Sequence, residues 1–182
     1  MLYKSVNSVD AWWMSSATKI SIFLAGVVMV CGSCGHQQLP TDDLLIANFK
    51  QNRTVFDRLI MMSDTDSLVV RIANDFTGLR DNSQWPRPIS ELGFSVQRWN
   101  DYRRLFAELN IKKGLVRADS VVYLTADGVG LVTGGEAKGY LYDPGPMHVS
   151  VPLLDTISRS SAAKGPVLRK LDEHWYIFYE VD

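Results

Sequence analysis

Residues 115–142 read LVRADSVVYLTADGVGLVTGGEAKGYLY, and this stretch decides the fold class. Along much of it, apolar residues alternate with polar or small ones, as is typical of strands with one buried face. We predict strands at Leu115–Ala126, Gly130–Thr133 and Gly139–Tyr142, separated by short polar or glycine-containing connections. Strands that follow one another so closely in sequence indicate an antiparallel β-meander.

A second pair of strands is predicted near the C-terminus. Val167–Leu171 and Trp175–Val181 flank the polar residues 172–174, a pattern that indicates a hairpin. The run HWYIFYE at 174–180 is apolar at successive positions rather than at alternate ones. Such a strand is either covered on both faces within its own domain or meets another protein with its second face.

Two amphipathic segments predict the main helices. Pro40 and Thr41 precede two aspartates, so we expect Thr41 to cap a helix that runs to about Met62. A second helix is predicted at Val96–Asn110. The side chains that share its apolar face, and which we expect in the core, are Trp99, Tyr102, Leu105, Phe106 and Leu109.

The remaining segments are less regular. Ser67–Ala73 predicts a strand, residues 74–96 an irregular surface region, and Val151–Ser160 a short helix. We therefore expect one α+β domain at 41–182, an antiparallel β-meander sheet with two main helices packed on one face.

Composition favours an ordinary globular domain. The chain is 46% hydrophobic and 21% charged, with a formal net charge of −1 and both signs scattered along it. Nothing in this charge balance favours nucleic acid, so we expect no nucleic-acid partner.

The N-terminus has the pattern of an export signal. Ile20–Val30 is an uncharged run, ISIFLAGVVMV, preceded by Lys19 and followed by small residues. The run is short for a membrane span, which needs about 20 residues, so we expect cleavage and a signal peptide at 1–33. A compact leader would begin at Met14, which we take as the expected translation start.

The end of this leader, Gly32-Ser33-Cys34, resembles the lipobox of bacterial lipoproteins. The resemblance implies that Cys34 is lipidated and that this lipid anchors the protein to a membrane, with residues 34–40 as a short tether. Cys31 sits in a poorer competing box, and an ordinary secreted protein is the alternative. Gly35 stands where an Asp would resemble an inner-membrane retention signal, so the resemblance implies the outer membrane, facing the periplasm.

The sequence contains no complete motif for nucleotide or metal binding. Gly130 and Gly135 have phosphate-loop spacing, but Glu136 stands where that loop requires lysine, which favours a hairpin turn. The three histidines are far apart in sequence and have no paired spacing for a zinc site, so we predict no metal and no cofactor.

No catalytic residue is predicted either. Ser150, His148 and Asp155 form a catalytic triad only by arbitrary choice, since no motif links them. Asp101 and Glu108 could act as an acid/base pair, but Arg104 lies three residues from one and four from the other, which favours ion pairing on a solvated helix face. One residue is a candidate for partner binding: Trp85, in the proline-containing loop 84–88.

Three segments resemble a group of proteobacterial lipoproteins of uncharacterised function: 99–106 (WNDYRRLF), 138–140 (KGY) and 175–180 (WYIFYE). The resemblance implies a location in the bacterial cell envelope and a shared fold, and it supplies no catalytic residue.

Three classes of function remain open. A tethered protein-binding or accessory module, for example an immunity-type protein with an envelope partner, fits the absence of a catalytic motif best. An envelope hydrolase with a non-obvious site and a structural envelope protein are the alternatives. A deep pocket with convergent polar groups would favour the hydrolase.

Overall fold

The computed structural model describes residues 38–131, 134–145, 148, 150–162 and 165–181. The predicted signal peptide, Cys34 and residues 34–37 of the predicted tether lie outside these ranges. Within them, none of the helices has the length and hydrophobicity needed to cross a bilayer.

An eight-stranded sheet forms the body of the described chain, and every pair of neighbouring strands in it is antiparallel. The strands are β1 (Arg71–Ile72), β2 (Thr77–Gly78), β3 (Gln84–Trp85), β4 (Gly114–Ala118), β5 (Val121–Leu131), β6 (Gly134–Tyr142), β7 (Val167–Lys170) and β8 (Trp175–Val181). Their spatial order is β3-β2-β1-β4-β5-β6-β8-β7. The predicted α+β class with an antiparallel meander is confirmed.

The central hairpins correct two strand boundaries. The strand predicted at Leu115–Ala126 is two strands, because Asp119 adopts a left-handed φ of 54° and turns the chain between β4 and β5. The strand predicted at Gly130–Thr133 is not separate, since residues 130–131 complete β5. Gly130 pairs with Gly135 at the end of the β5–β6 hairpin, so these glycines serve a hairpin as predicted.

Four helices accompany the sheet in the described residues: α1 (Asp42–Gln51), α2 (Arg53–Thr65), α3 (Val96–Glu108) and the short α4 (Arg159–Ala162). Thr41 caps α1 as predicted, since its Oγ1 accepts a hydrogen bond from Leu44 N at 3.4 Å. The single helix predicted to about Met62 is interrupted at Asn52, whose backbone leaves the helical region with φ −116°.

Two other expectations for the connecting segments were wrong in part. The strand predicted at Ser67–Ala73 is shortened to β1, Arg71–Ile72. The region 74–96 contains β2, β3 and a 3₁₀ turn at Ser90–Leu92. The helix predicted at Val151–Ser160 is absent over 151–158. There Val151 N donates to Leu168 O and Leu154 N to Asp42 Oδ2, so tertiary bonds replace the helical ones.

The main core lies between the helices and one face of the sheet. Phe56, fully buried, contacts the rings of Phe49, Tyr140 and Trp175 at centroid distances of 5.3, 4.6 and 5.4 Å. All helix side chains of the core belong to this cluster, and Trp99 and Tyr102 are among them, as predicted.

A smaller apolar cluster lies on the opposite face of the sheet. It consists of Leu141, Leu168, Tyr176 and Phe178. Because Trp175 and Ile177 face the main core while Tyr176 and Phe178 lie in this cluster, β8 is buried on both faces. Of the two alternatives for this strand, coverage on both sides is therefore the one observed.

Candidate binding cleft at the start of the domain

A cavity of about 390 Å³ opens beside the first described residues, and we name it the entry cleft. It lies between the first half of α1, the end of α3 and the middle of β5. Its lining consists of Gln38, Pro40, Leu44, Leu45, Asn48, Leu109, Asn110, Lys112, Ala126 and Asp127. This volume falls within the range of small-ligand sites, which is roughly 300–1,000 Å³.

The floor of the entry cleft is aliphatic. Leu45, Leu109 and Ala126 are buried side chains of the main core that also line the cavity. Leu44 lies at the same cavity but is 63% exposed. A buried aliphatic floor with an exposed leucine beside it is suited to covering an apolar group of a ligand.

One polar side chain of the lining, Asn48, is fixed by the fold. Its Nδ2 donates to Leu109 O at 2.8 Å and to Tyr140 Oη at 3.0 Å, and the Tyr140 hydroxyl donates to Leu45 O at 3.0 Å. Burial raises the pKa of Tyr140 to about 12, so the phenol stays neutral and continues to donate at physiological pH. Asn48 thus joins α1 to the end of α3 and to β6 and holds the floor in place.

The two charged side chains of the lining, Lys112 and Asp127, pair with each other. Lys112 Nζ lies 2.5 Å from Asp127 Oδ2, and Asp127 Oδ1 accepts a hydrogen bond from Gly128 N at 2.8 Å. Asp127 is almost fully buried while Lys112 is 61% exposed. The carboxylate is therefore engaged in structural contacts, and the pair adds no net charge to the entry cleft.

A buried ion cluster fixes the first turn of α1 next to the entry cleft, and we name it the Asp42 cluster: Asp42, Lys138, Asp155 and Arg169. Lys138 Nζ lies 2.7 Å from Asp42 Oδ1 and 2.5 Å from Asp155 Oδ1, and Arg169 Nη1 donates to Asp42 Oδ2 at 2.7 Å. The Asp42 side chain is 0% exposed and that of Lys138 is 5% exposed.

Backbone groups complete the Asp42 cluster. The Asp155 carboxylate accepts Asp42 N at 3.0 and 3.1 Å, and Leu154 N donates to Asp42 Oδ2 at 2.8 Å. Burial by itself would raise the pKa of Asp42, but Lys138, Leu154 N–H and Arg169 together hold that pKa below its usual value. The segment 150–158 is thereby tied to the helix start. A smaller cavity of about 190 Å³ lies against this cluster and shares the lining residue Pro40 with the entry cleft.

Leu44 occupies a position at which helix chemistry favours a different residue. It is the third residue of α1, after the cap Thr41, where glutamate or glutamine would complete a capping box by accepting Thr41 N–H. The exposed leucine gives up that stabilisation. A local rule broken at a cavity mouth is the kind of exception expected at a functional site.

Replacement of Leu44 by glutamate is expected to raise the free energy of unfolding by about 0.5 kcal/mol, since it completes the capping box and places a carboxylate near the positive end of α1. Urea denaturation of Leu44→Glu and Leu44→Gln measures this. Glutamine should retain the hydrogen bond without the charge and give a smaller gain. A loss of stability in both variants would mean that Leu44 supports the fold rather than a ligand.

The residues singled out from the sequence lie in several places. Trp85 is half-buried on the edge strand β3, paired with Thr77 and packed against the main core; its contact with a partner stays a prediction. Asp101 forms a 2.9 Å ion pair with Arg104, as expected for a solvated helix face.

The rejected triad does not assemble in the described residues. His148 Nε2 lies 2.6 Å from Asp143 Oδ2, whereas Asp155 belongs to the Asp42 cluster. Sequence reasoning missed Lys138 and Asp155 as partners of Asp42, and it missed the entry cleft. The one local signal for the cleft was the leucine three residues after the helix cap.

Searches against protein-family models, curated proteins and solved structures find no match to this chain.

Proposed function

We propose that the chain is a lipid-anchored binding module of the bacterial cell envelope, whose entry cleft contacts a partner. The envelope location is supported by the export signal and by the resemblance of Gly32-Ser33-Cys34 to a lipobox. Outer-membrane residence facing the periplasm follows from the same resemblance, and an immunity-type role toward a delivered toxin is one form that the binding takes.

The observation that carries the binding role is Leu44, an exposed leucine beside the buried aliphatic floor of the entry cleft. Binding is favoured over hydrolysis because Asn48 and both charged side chains of the lining are already hydrogen-bonded within the fold. Asn48 bonds to Leu109 O, and Lys112 bonds to Asp127. A general base needs a group that faces the substrate with its proton-accepting atom available. The carboxylate of Asp127 is instead buried and bonded to Lys112 and Gly128.

The anchor is tested by the intact mass of the full-length gene product extracted from bacterial membranes. We expect a mass equal to residues 34–182 plus acyl groups, and loss of that species in Cys34→Ala. Cys31→Ala is the matched control and should leave acylation unchanged. An unmodified native mass, or acylation lost only in Cys31→Ala, would reject Cys34 as the anchor.

The partner contact is tested by site-specific photo-crosslinking in bacteria. A photoreactive side chain at position 44 should give a discrete covalent adduct. Position 61 is the matched control: Met61 is 68% exposed, close to the 63% of Leu44, but it lines neither cavity and should give no adduct. A third probe at position 85 tests the predicted contact of Trp85. Equal labelling at positions 44 and 61 would contradict a role for the entry cleft.

A further inference from the structure

The lining of the entry cleft divides into an aliphatic floor and an amide rim. The floor is formed by Leu45, Leu109 and Ala126, with Leu44 beside it. None of the ten lining residues is aromatic, so the cavity offers no ring on which a sugar or a nucleobase would stack. The floor is suited to an aliphatic group that packs against aliphatic side chains.

The rim carries two side-chain amides, those of Gln38 and Asn110, that are not hydrogen-bonded within the described residues. Both are exposed residues of the lining, so each amide faces solvent at the mouth of the cavity. Asn110 is held at the end of α3 in a left-handed conformation with φ 55°, so its place at the rim is set by the helix terminus. Each amide carries both donors and an acceptor.

A primary amide is complementary to one peptide group, because it can accept from the N–H and donate to the C=O of the ligand at the same time. A hydrocarbon chain would pack on the floor but could make no hydrogen bond with either amide. The lining also has no net charge, since Lys112 and Asp127 are paired.

We infer that the entry cleft binds an uncharged peptide segment with one aliphatic side chain on the floor and its backbone along the amide rim. This inference depends on the proposed binding function and names the chemistry of its ligand. The segment belongs to the partner protein and contributes the apolar residue that Leu44 covers.

The test uses the full-length protein purified from bacterial membranes in detergent, with leucine methyl groups labelled for NMR. The probe is a blocked tripeptide, N-acetyl-alanyl-leucyl-alanine amide, and its serine analogue is the ligand control. We expect saturable shifts of the Leu45 and Leu109 methyl resonances with the leucine peptide. Binding of the serine peptide should be about tenfold weaker, the effect of about 1.4 kcal/mol of lost apolar contact.

The protein variants separate the site from general surface effects. Leu44→Gln keeps the helix cap and should weaken the leucine peptide about tenfold, whereas Leu68→Gln, at a leucine that is 65% exposed and lines neither cavity, should bind it unchanged. Equal binding of the two peptides, or no shift with either, would overturn the inference. If the peptides fail this test but position 44 still crosslinks a partner, the proposed function stands and only the peptide chemistry is rejected. If position 44 also gives no crosslink, both the proposed function of the entry cleft and the peptide chemistry are rejected.

Discussion

Lys138→Met is expected to lower the free energy of unfolding by about 3 kcal/mol at neutral pH, because it removes the central cation of a buried ion cluster and leaves Asp42 and Asp155 without it. The Asp42 side chain is 0% exposed, so water cannot solvate the carboxylate in the folded state. Arg169 and Leu154 N–H remain within 2.7 and 2.8 Å of Asp42 Oδ2, which keeps the loss at the lower end of the range for a broken buried pair.

The same substitution should change how stability depends on pH. In the native protein the pKa of Asp42 is lowered, so its stabilisation is present above the ordinary value of 3.8 and is lost as pH falls through the lower folded pKa. Lys138 is the largest of the interactions that lower the pKa of Asp42, so its removal should raise the folded pKa. Protonation then relieves the buried charge, so the difference between the two proteins should shrink as pH falls from neutral toward 3.8.

Urea denaturation between pH 7 and pH 4 measures both effects. Lys113→Met is the matched control, because Lys113 is exposed and its loss should change stability by no more than about 0.5 kcal/mol. A loss of similar size in both variants would show that the cluster contributes little. A difference that stays constant with pH would show that Asp42 is not the group that Lys138 compensates.

The elements that the sequence predicted well are those with a local signal. The cap Thr41, the helix from Val96 and the hairpin that joins β7 to β8 all depend on residues a few positions apart. The turn at Asp119 was missed although its signal is local, since a polar pair between two valine-rich runs was placed inside one strand. The strands β2 and β3 have two residues each and depend on tertiary pairing that no periodicity shows. The two residues of β1 lie within the strand predicted at Ser67–Ala73.

The Asp42 cluster could not be predicted because its members lie far apart in sequence. Asp42 was expected only to favour the helix start through the dipole, whereas Lys138, Asp155 and Arg169 reach it from β6, the segment 150–158 and β7. Their meeting depends on the register of β6, which places Lys138 opposite Tyr179 of β8. A slip of one residue would turn the lysine to the other face of the sheet.

The Asp42 cluster and the entry cleft share the first turn of α1. Asp42 fixes the helix start, and the floor residue Leu45 follows one turn later. The cluster therefore sets where Leu45 lies relative to Leu109 across the cavity. It follows that a ligand of the entry cleft would stabilise the same part of the fold that the ion cluster holds.

Gly139→Ala is expected to destabilise the protein by about 3 kcal/mol or to prevent its folding, since there is no room for a side chain in the middle of β6. A Cβ atom at this position would lie 2.1 Å from Leu124 O and 2.8 Å from Ala126 N. Both atoms belong to β5 at the point where the register shifts between Thr125 and Asp127. The bulge brings the backbone of β5 against Gly139, and the neighbouring strands hold β6 from both sides.

The matched control for this prediction is Gly128→Ala, in the same pair of strands. There a Cβ atom would lie 3.2 Å from Glu136 O, a contact that a small adjustment relieves, so we expect a loss of about 1 kcal/mol or less. Thermal unfolding followed by circular dichroism compares the two variants, and soluble yield reports the case in which Gly139→Ala does not fold. Equal stability of the two variants would mean that β5 moves away from β6 without cost. The bulge would then not fix the register that places Asp127 and Lys138 opposite each other, on which the entry cleft and the Asp42 cluster both depend.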